Sequence, residues 1–416
     1  MWLFASPIFN YFAAQPAHAP RRYKSQPRSS AMDNKSQAII AFLQSCGEGV
    51  PSLAPAYAQM EELYKRKLWH QLTVLLEEHI GKEEAAPQLI GVYDTFVRDF
   101  KHKLNKLALA RIQVAVSLQY TDQAAAIAFG EAVAEEQTDD AEAGAFVLCE
   151  LARMLLRFGE VEKCKEKIDL AAAKIEGAAG MTAEVQAAFY RAKSAYYKLK
   201  GPAAEFYRAA LLLLAYAPLS SMPPAEALEM SFDLGIAALV GEKLYNFGEL
   251  LEHPVVTTLE ATQFAWLAHL LRAFNAGDIE QYEALVSQHH AKLEEQPALL
   301  SNTNFLKEKI TLMCLTQTLF HRIGPNADRT VPFAHIAAAS KLPVEQVEML
   351  LMRGLSLGLI RGVIDQVDLT MRVSWVQPRV LQAEQIAVMT ERLKSWASTV
   401  SSTLTELDAL TPEFAA

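Results

Sequence analysis

A mainly α architecture, a helical-repeat (TPR-like) solenoid closed by a winged helix and a C-terminal helix, is what this 416-residue sequence predicts. Three observations carry the prediction. Glycines between amphipathic runs recur through the middle of the chain, Pro332 to Leu357 reads as helix-turn-helix ahead of two short strand signals, and Ile386 to Leu407 forms one apolar stripe at helical spacing. The composition agrees, since 51% hydrophobic residues with modest glycine and proline suit stacked helices, and the length exceeds one ordinary compact core. The expected division is an extension over 1–35, the solenoid over 36–325, the winged helix over 326–380, and a terminal helix and tail over 381–416.

The extension starts apolar, with Trp2, Leu3, Phe4, Ile8, Phe9, Tyr11 and Phe12, and turns basic at Arg21, Arg22, Lys24 and Arg28; no acid precedes Asp33. A secretory signal places its cations first and keeps its apolar run unbroken, whereas Ser6, Pro7 and Asn10 interrupt this one. A disordered leader is therefore expected, with Met32 as an alternative start. No apolar run reaches 18 residues, so no membrane span is expected. A net charge of −9 argues against general binding to nucleic acid or anionic membrane. Cys46, Cys149, Cys164 and Cys314 show no paired spacing and read as reduced, buried thiols of a cytosolic or nuclear protein.

Gly159, Gly201, Gly241 and Gly277 follow one another at intervals of 42, 40 and 36 residues, about two helices and their turns. Each is expected to end a helix in the left-handed backbone region that glycine enters freely. After Gly277, Asp278 suits a helix start, and Ile279, Tyr282, Leu285 and Val286 share a face. Such helix pairs bury their faces only by stacking, and the stack offers long surfaces to protein partners. Tyr190, Tyr196, Tyr197, Phe206, Tyr207 and Tyr216, interleaved with Arg191, Lys193, Lys198, Lys200 and Arg208, follow helical faces and read as helix packing with snorkelling cations rather than a base-stacking groove.

The common frameworks for phosphate, zinc and nucleophile chemistry are absent from the sequence, so neither catalysis, a cofactor nor a metal is expected. His289-His290 lacks a ligand shell and reads as a solvated face, and Glu249, Glu252 and His253 read as a polar helix end.

In the closing module, Pro332 starts a helix carrying Phe333, Ile336 and Ala337, and Ser340 and Pro343 stop it and start another. Val344, Val347, Leu351 and Leu355 are the expected buried face of the second helix, with Gly354 and Gly358 for close packing and a stop. Leu359–Ile364 predicts a strand and Asp365-Gln366 a turn. Leu369, Met371, Val373 and Trp375 then alternate with polar residues as a half-buried partner strand that Pro378 ends. The module from 326 to 380 holds six basic and five acidic residues, and its second helix sets Arg353 against Glu345 and Glu348, the opposite of a DNA-reading helix. The exposed sheet edge around Arg361, Val363 and Arg372 is instead the expected partner contact. In the terminal helix, Ile386, Met389, Leu393, Trp396, Val400, Leu404 and Leu407 are spaced 3, 4, 3, 4, 4 and 3 apart, a stripe that either folds back on the winged helix or joins a bundle with other chains.

Helical repeats leading to a winged helix with the segment Gly358 to Asp368 resemble the PCI domain shared by the proteasome lid, the COP9 signalosome and a translation initiation factor. Leu63–Leu72, Tyr245–Pro254 and Trp375–Leu381 resemble more closely one PCI subunit of the lid, over about Ser36 to Leu407. That resemblance implies a non-catalytic scaffold in a hetero-oligomer of the cytoplasm and nucleus. It further implies side-by-side contacts with other PCI subunits, a terminal helix bundle formed by Ile386, Met389, Leu393, Trp396, Val400 and Leu404, and a solenoid near a deubiquitinase pair and a ubiquitin receptor. Membership of another PCI assembly, or a nucleic-acid adaptor, are the alternatives.

Overall fold

The computed structural model describes residues 30–178, 180–320, 329–377 and 383–410. The leader up to residue 29, the break in the strand at Pro378, and the charges at Asp328 and Arg379 lie outside the described residues. The chain packs as two units, one up to Leu104 and one from Asn105.

The first unit opens with α1 (Ser30–Gly49), so helix begins inside the extension expected over 1–35. Two further helices follow, α2 (Ala54–Arg66) and α3 (Trp69–Ile80), then a run of short helical turns as far as Lys103. The Leu63–Leu72 segment supplies the α2–α3 turn, with Lys67 left-handed, and two rings of the aromatic core. Trp69 stacks on Phe100 at 5.2 Å, and Tyr64 meets Phe96 edge-on at 5.5 Å. Aromatic pairs in these geometries add to what their burial alone contributes.

The second unit is built mainly from helices: α4 (Lys106–Ser117), α5 (Gln123–Glu136), α6 (Ala141–Arg157), α7 (Val161–Glu176), α8 (Ala183–Lys200), α9 (Ala203–Tyr216), α10 (Pro224–Val240), α11 (Ala265–Ala276), α12 (Ile279–Gln288) and α13 (Thr303–Phe320). Their starts follow from residue type. Asn105, Asp122, Asp140 and Asp278 each cap a helix by accepting backbone N–H bonds, Asp278 from Glu280 at 2.9 Å and Gln281 at 3.1 Å. One buried cluster runs from Ala110 to Ala192 and a second from Phe206 to Val376, with Tyr190 packed against both. The second cluster crosses the expected boundary at 325 without a break, so the winged helix shares its core with the last repeats.

Gly159, Gly201 and Gly277 are left-handed as expected, but Gly241 is not; its φ is −62°. Space, not handedness, selects glycine there, since a Cβ would lie 2.7 Å from the Ala237 carbonyl oxygen as well as 2.5 Å from Leu244 Cδ1. The aromatic and basic side chains of α8 and α9 form packed pairs. Tyr190 stacks on Tyr216 at 5.8 Å, Phe206 and Tyr207 are buried, and Lys198, Lys200 and Arg208 each meet a carboxylate.

The closing module contains β1 (Thr330–Pro332), α14 (Phe333–Ser340), α15 (Val344–Ser356), β2 (Ile360–Asp365) and β3 (Thr370–Val376), with sheet order β1-β3-β2. Strand β1 was not expected; at three residues including Pro332 it carries no periodic signal. The buried face of α15 is rotated from the expected one, because Val347, Leu350, Leu351 and Gly354 face in while Val344 is exposed. Alternation also fails in β3. Arg361 pairs with Trp375 but Gly362 with Val373, leaving Ser374 as the extra residue of a bulge. The bulge turns Val376 inward and Trp375 outward, contrary to the expected pattern. Gly362 is the residue that permits it, since a Cβ there would sit 2.3 Å from the Arg372 carbonyl oxygen. Leu369, expected on the buried face, occupies the β2–β3 turn with φ 49° and is exposed.

At Gly277 a left-handed φ of 69° coincides with a Cβ position 2.8 Å from the Cys314 backbone, whereas Gly159 has φ 83° and open space. Gly159→Ala should therefore cost only the left-handed strain, about 1 kcal/mol. Gly277→Ala should cost that strain plus displacement of α13, about 2–4 kcal/mol in all. Urea denaturation of the two variants measures the difference.

Candidate partner-binding surfaces and a buried lysine

Strand β2 is an edge, and it presents Arg361 and Val363 outward, Val363 being 69% exposed. Arg372 does not lie on an edge. It belongs to the middle strand, paired with Val363 on one side and Thr330 on the other, so only its side chain is offered to a partner. The bulge adds a residue the sequence reading placed inside: the Arg361 guanidinium lies 4.8 Å over the outward-turned Trp375 ring. Arg361, Val363, Arg372 and Trp375 thus form one outward face of mixed apolar and cationic character.

The last helix, α16 (Ala383–Leu410), is continuous over 28 residues. Ile386, Met389, Leu393, Trp396, Val400, Leu404 and Leu407 are all about half exposed or more, Trp396 at 67%. The stripe is therefore exposed along its length. Between Ser395 and Thr405 the helix carries no charge, and Thr399, Thr403 and Thr405 donate to the carbonyls of Ser395, Thr399 and Ser401, satisfying their hydroxyls locally.

Other residues singled out by sequence do structural work. His253 accepts from Val255 N–H at the start of the short helix Pro254–Glu260, and Glu249 and Glu252 belong to the short helix Gly248–Glu252 before it. His290 lies 3.4 Å from Glu294 on an exposed helical turn. All four cysteines are free and buried, and burial pushes each thiol up in pKa. Among the described residues, no group of three or more His, Cys, Asp or Glu side chains could hold a metal ion.

Sequence reasoning missed Lys309. This side chain is 0% exposed in α13, and its Nζ donates to the carbonyls of Ala238 at 2.8 Å and of Leu239 and Gly241 at 2.9 Å. These are carbonyls at the end of α10, where helix geometry leaves acceptors without partners. The rings of Tyr245, Phe247 and Phe305 stand 5.7, 5.1 and 5.6 Å from the same nitrogen. Two of those rings come from the Tyr245–Pro254 segment, so that segment builds the lysine's chamber. A signal did exist, because Lys309 falls on the face of Leu306, Ile310 and Met313 at helical spacing, all buried. Burial pushes its pKa down to about 7.

Helical repeats sharing a core with a weakly charged winged helix define a PCI-domain protein. Residues 56–271 match the PSD13 N-terminal repeats and residues 286–375 match the PCI domain. The chain is 40% identical to 26S proteasome non-ATPase regulatory subunit 13 homolog B of Arabidopsis thaliana, over 91% of this chain and 100% of the relative. It is 36% identical to 26S proteasome non-ATPase regulatory subunit 13 of Dictyostelium discoideum (88% and 95%), and 33% identical to the 26S proteasome regulatory subunit RPN9 of Saccharomyces cerevisiae (87% and 94%). The chain belongs to the family of 26S proteasome non-ATPase regulatory subunit 13.

Replacing Lys309 by Met leaves three carbonyls without a donor while relieving a buried charge. Orphaned acceptors at about 1–3 kcal/mol each outweigh that relief, so a net loss of about 2–4 kcal/mol is expected by denaturant unfolding. The pH dependence carries a sign. With the folded-state value near 7 and the ordinary value 10.5, the unfolded chain holds a proton that the folded chain releases throughout that interval. Lys309 therefore makes stability rise from pH 7 towards 10, and its contribution is lost as pH falls through about 7. Lys309→Met should flatten that slope.

Proposed function

We propose that this chain is a non-catalytic scaffold subunit of the 26S proteasome regulatory-particle lid, supporting assembly and ubiquitin-dependent protein degradation. Family membership supports the assembly, and the exposed stripe of α16 supports the role. A helix that leaves seven large apolar side chains exposed in its own chain is made to be completed by others. Leu393, Trp396 and Val400 lie at its middle and enter a bundle with helices of neighbouring subunits, flanked by Ile386, Met389 and Leu404. The outward face of Arg361, Val363, Arg372 and Trp375 joins a neighbouring PCI subunit, and the repeats lie near the deubiquitinase pair and a ubiquitin receptor. The protein works in cytoplasm and nucleus; no described helix is long and apolar enough to cross a membrane. A translation initiation factor 3 subunit M from Neosartorya fischeri is 25% identical over 45% of this chain, which keeps another PCI assembly as the second reading.

Burial of each large apolar side chain in the bundle contributes about 1.5–3 kcal/mol. Leu393→Asp with Trp396→Asp removes that gain and adds the cost of desolvating two carboxylates. Affinity purification of the tagged wild type is expected to recover proteasomal ATPases and lid subunits, and the double variant is expected to lose them. Its own melting temperature should stay within a few degrees of the parent. A large drop in melting temperature with normal assembly would assign the helix to this chain's own fold, and recovery of signalosome or initiation-factor subunits instead would assign the other assembly.

A further inference from the structure

The outward face of α15 is where a DNA-reading winged helix carries cations. Here its centre holds Met349, 71% exposed, and Met352 one turn further on, also exposed. The β2–β3 turn closes one side, where Gln366 Nε2 donates to Glu348 Oε2 at 3.0 Å and Val367 is 92% exposed. The helix and the wing turn therefore make one surface, with methionines on one wall and a valine on the other. Unbranched, polarisable methionines suit a binding surface that adapts to its ligand.

The charges around this surface have one sign. Glu345 and Glu348 flank the methionines on α15, and Asp365 and Asp368 flank the valine, with Asp365 Oδ1 accepting the N–H groups of Val367 and Asp368. Four of the module's five described lysines and arginines are engaged or turned elsewhere, and the fifth, Arg329, leads into β1 at the edge of the sheet opposite β2. Lys341 lies 3.3 Å from Glu280 and 3.4 Å from Glu283, Arg353 Nε donates to Glu308 at 2.8 Å, Arg361 covers Trp375, and Arg372 shares that outward sheet face. An apolar centre within a carboxylate rim complements a helix with apolar residues along one side and Lys or Arg on its flanks. The same rim repels a phosphate backbone.

We infer that the face of α15 and the wing turn is a docking surface for a basic amphipathic helix of a partner protein. It is separate from the outer sheet face and from α16, and it does not depend on which PCI assembly the chain joins. The probe is a fluorescently labelled amphipathic helix of Leu and Lys, titrated with the full chain and followed by anisotropy. A Leu/Glu helix of the same length is the control.

Saturable binding of the Leu/Lys helix is expected, with none of the Leu/Glu helix. Glu345→Lys with Glu348→Lys should weaken it at least about tenfold, as should Met349→Asp, with melting temperatures within a few degrees of the parent because Glu345 and Met349 are exposed and Glu348 loses only one exposed hydrogen bond, from Gln366. Equal binding of both helices would overturn the inference, as would binding lost with Leu393→Asp and Trp396→Asp but unaffected on α15. Tighter binding after removal of residues 1–31 would make the chain's own basic leader the occupant. A self-association abolished by Glu345→Lys with Glu348→Lys would make it a second copy. Either result also overturns the assignment to a partner helix.

Discussion

One ammonium group connects the repeats to the module that ends them. Lys309 projects from the helix leading into the winged helix and closes the end of α10, meeting three carbonyls at 2.8 to 2.9 Å inside a wall of three rings. A protonated amine has three donors for the chamber's three acceptors, and releasing the proton leaves one acceptor unmatched while removing a buried charge. Burial opposes the charged form and lowers the pKa, while the carbonyls and ring faces favour it. The same helix, α13, also packs on α11 and on α14 and β3 of the winged helix.

Much of this fold was legible because it is periodic and punctuated. Pro332, Ser340 and Pro343 delimit the helix-turn-helix nearly to the residue, and Asp278 marks a helix start by capping the backbone. The errors arise where tertiary contact overrides period. Trp375 faces out because Ser374 is inserted ahead of it, an event signalled by Gly362 within a strand pattern. Arg372 was assigned to an edge because strand order is not written locally, and β1 places it in the middle. Lys309 was overlooked because lysine is a surface residue by type, and only the partners brought by α10 and the Tyr245–Pro254 segment make its burial tolerable.

The α16 stripe was legible for the opposite reason. Its apolar side chains stay exposed among the described residues, so the sequence pattern and the exposed surface coincide. The outward sheet face and the acidic methionine face of α15 are harder to read, since each gathers residues from elements separated in sequence, and the charges define them only after strand order and the wing turn are known.

The uncharged stretch of α16 has a consequence for how its contacts respond to salt. From Ser395 to Thr405 there is no ionised side chain, and three threonine hydroxyls are already bonded to the helix backbone. Raising ionic strength has nothing to screen there, and exclusion of strongly hydrated anions favours apolar burial. The contacts proposed through Arg361 and Arg372 would respond in the reverse sense. A concentrated sulfate wash would therefore separate the two proposed kinds of attachment, loosening the sheet face first and leaving the chain tethered by its terminal helix.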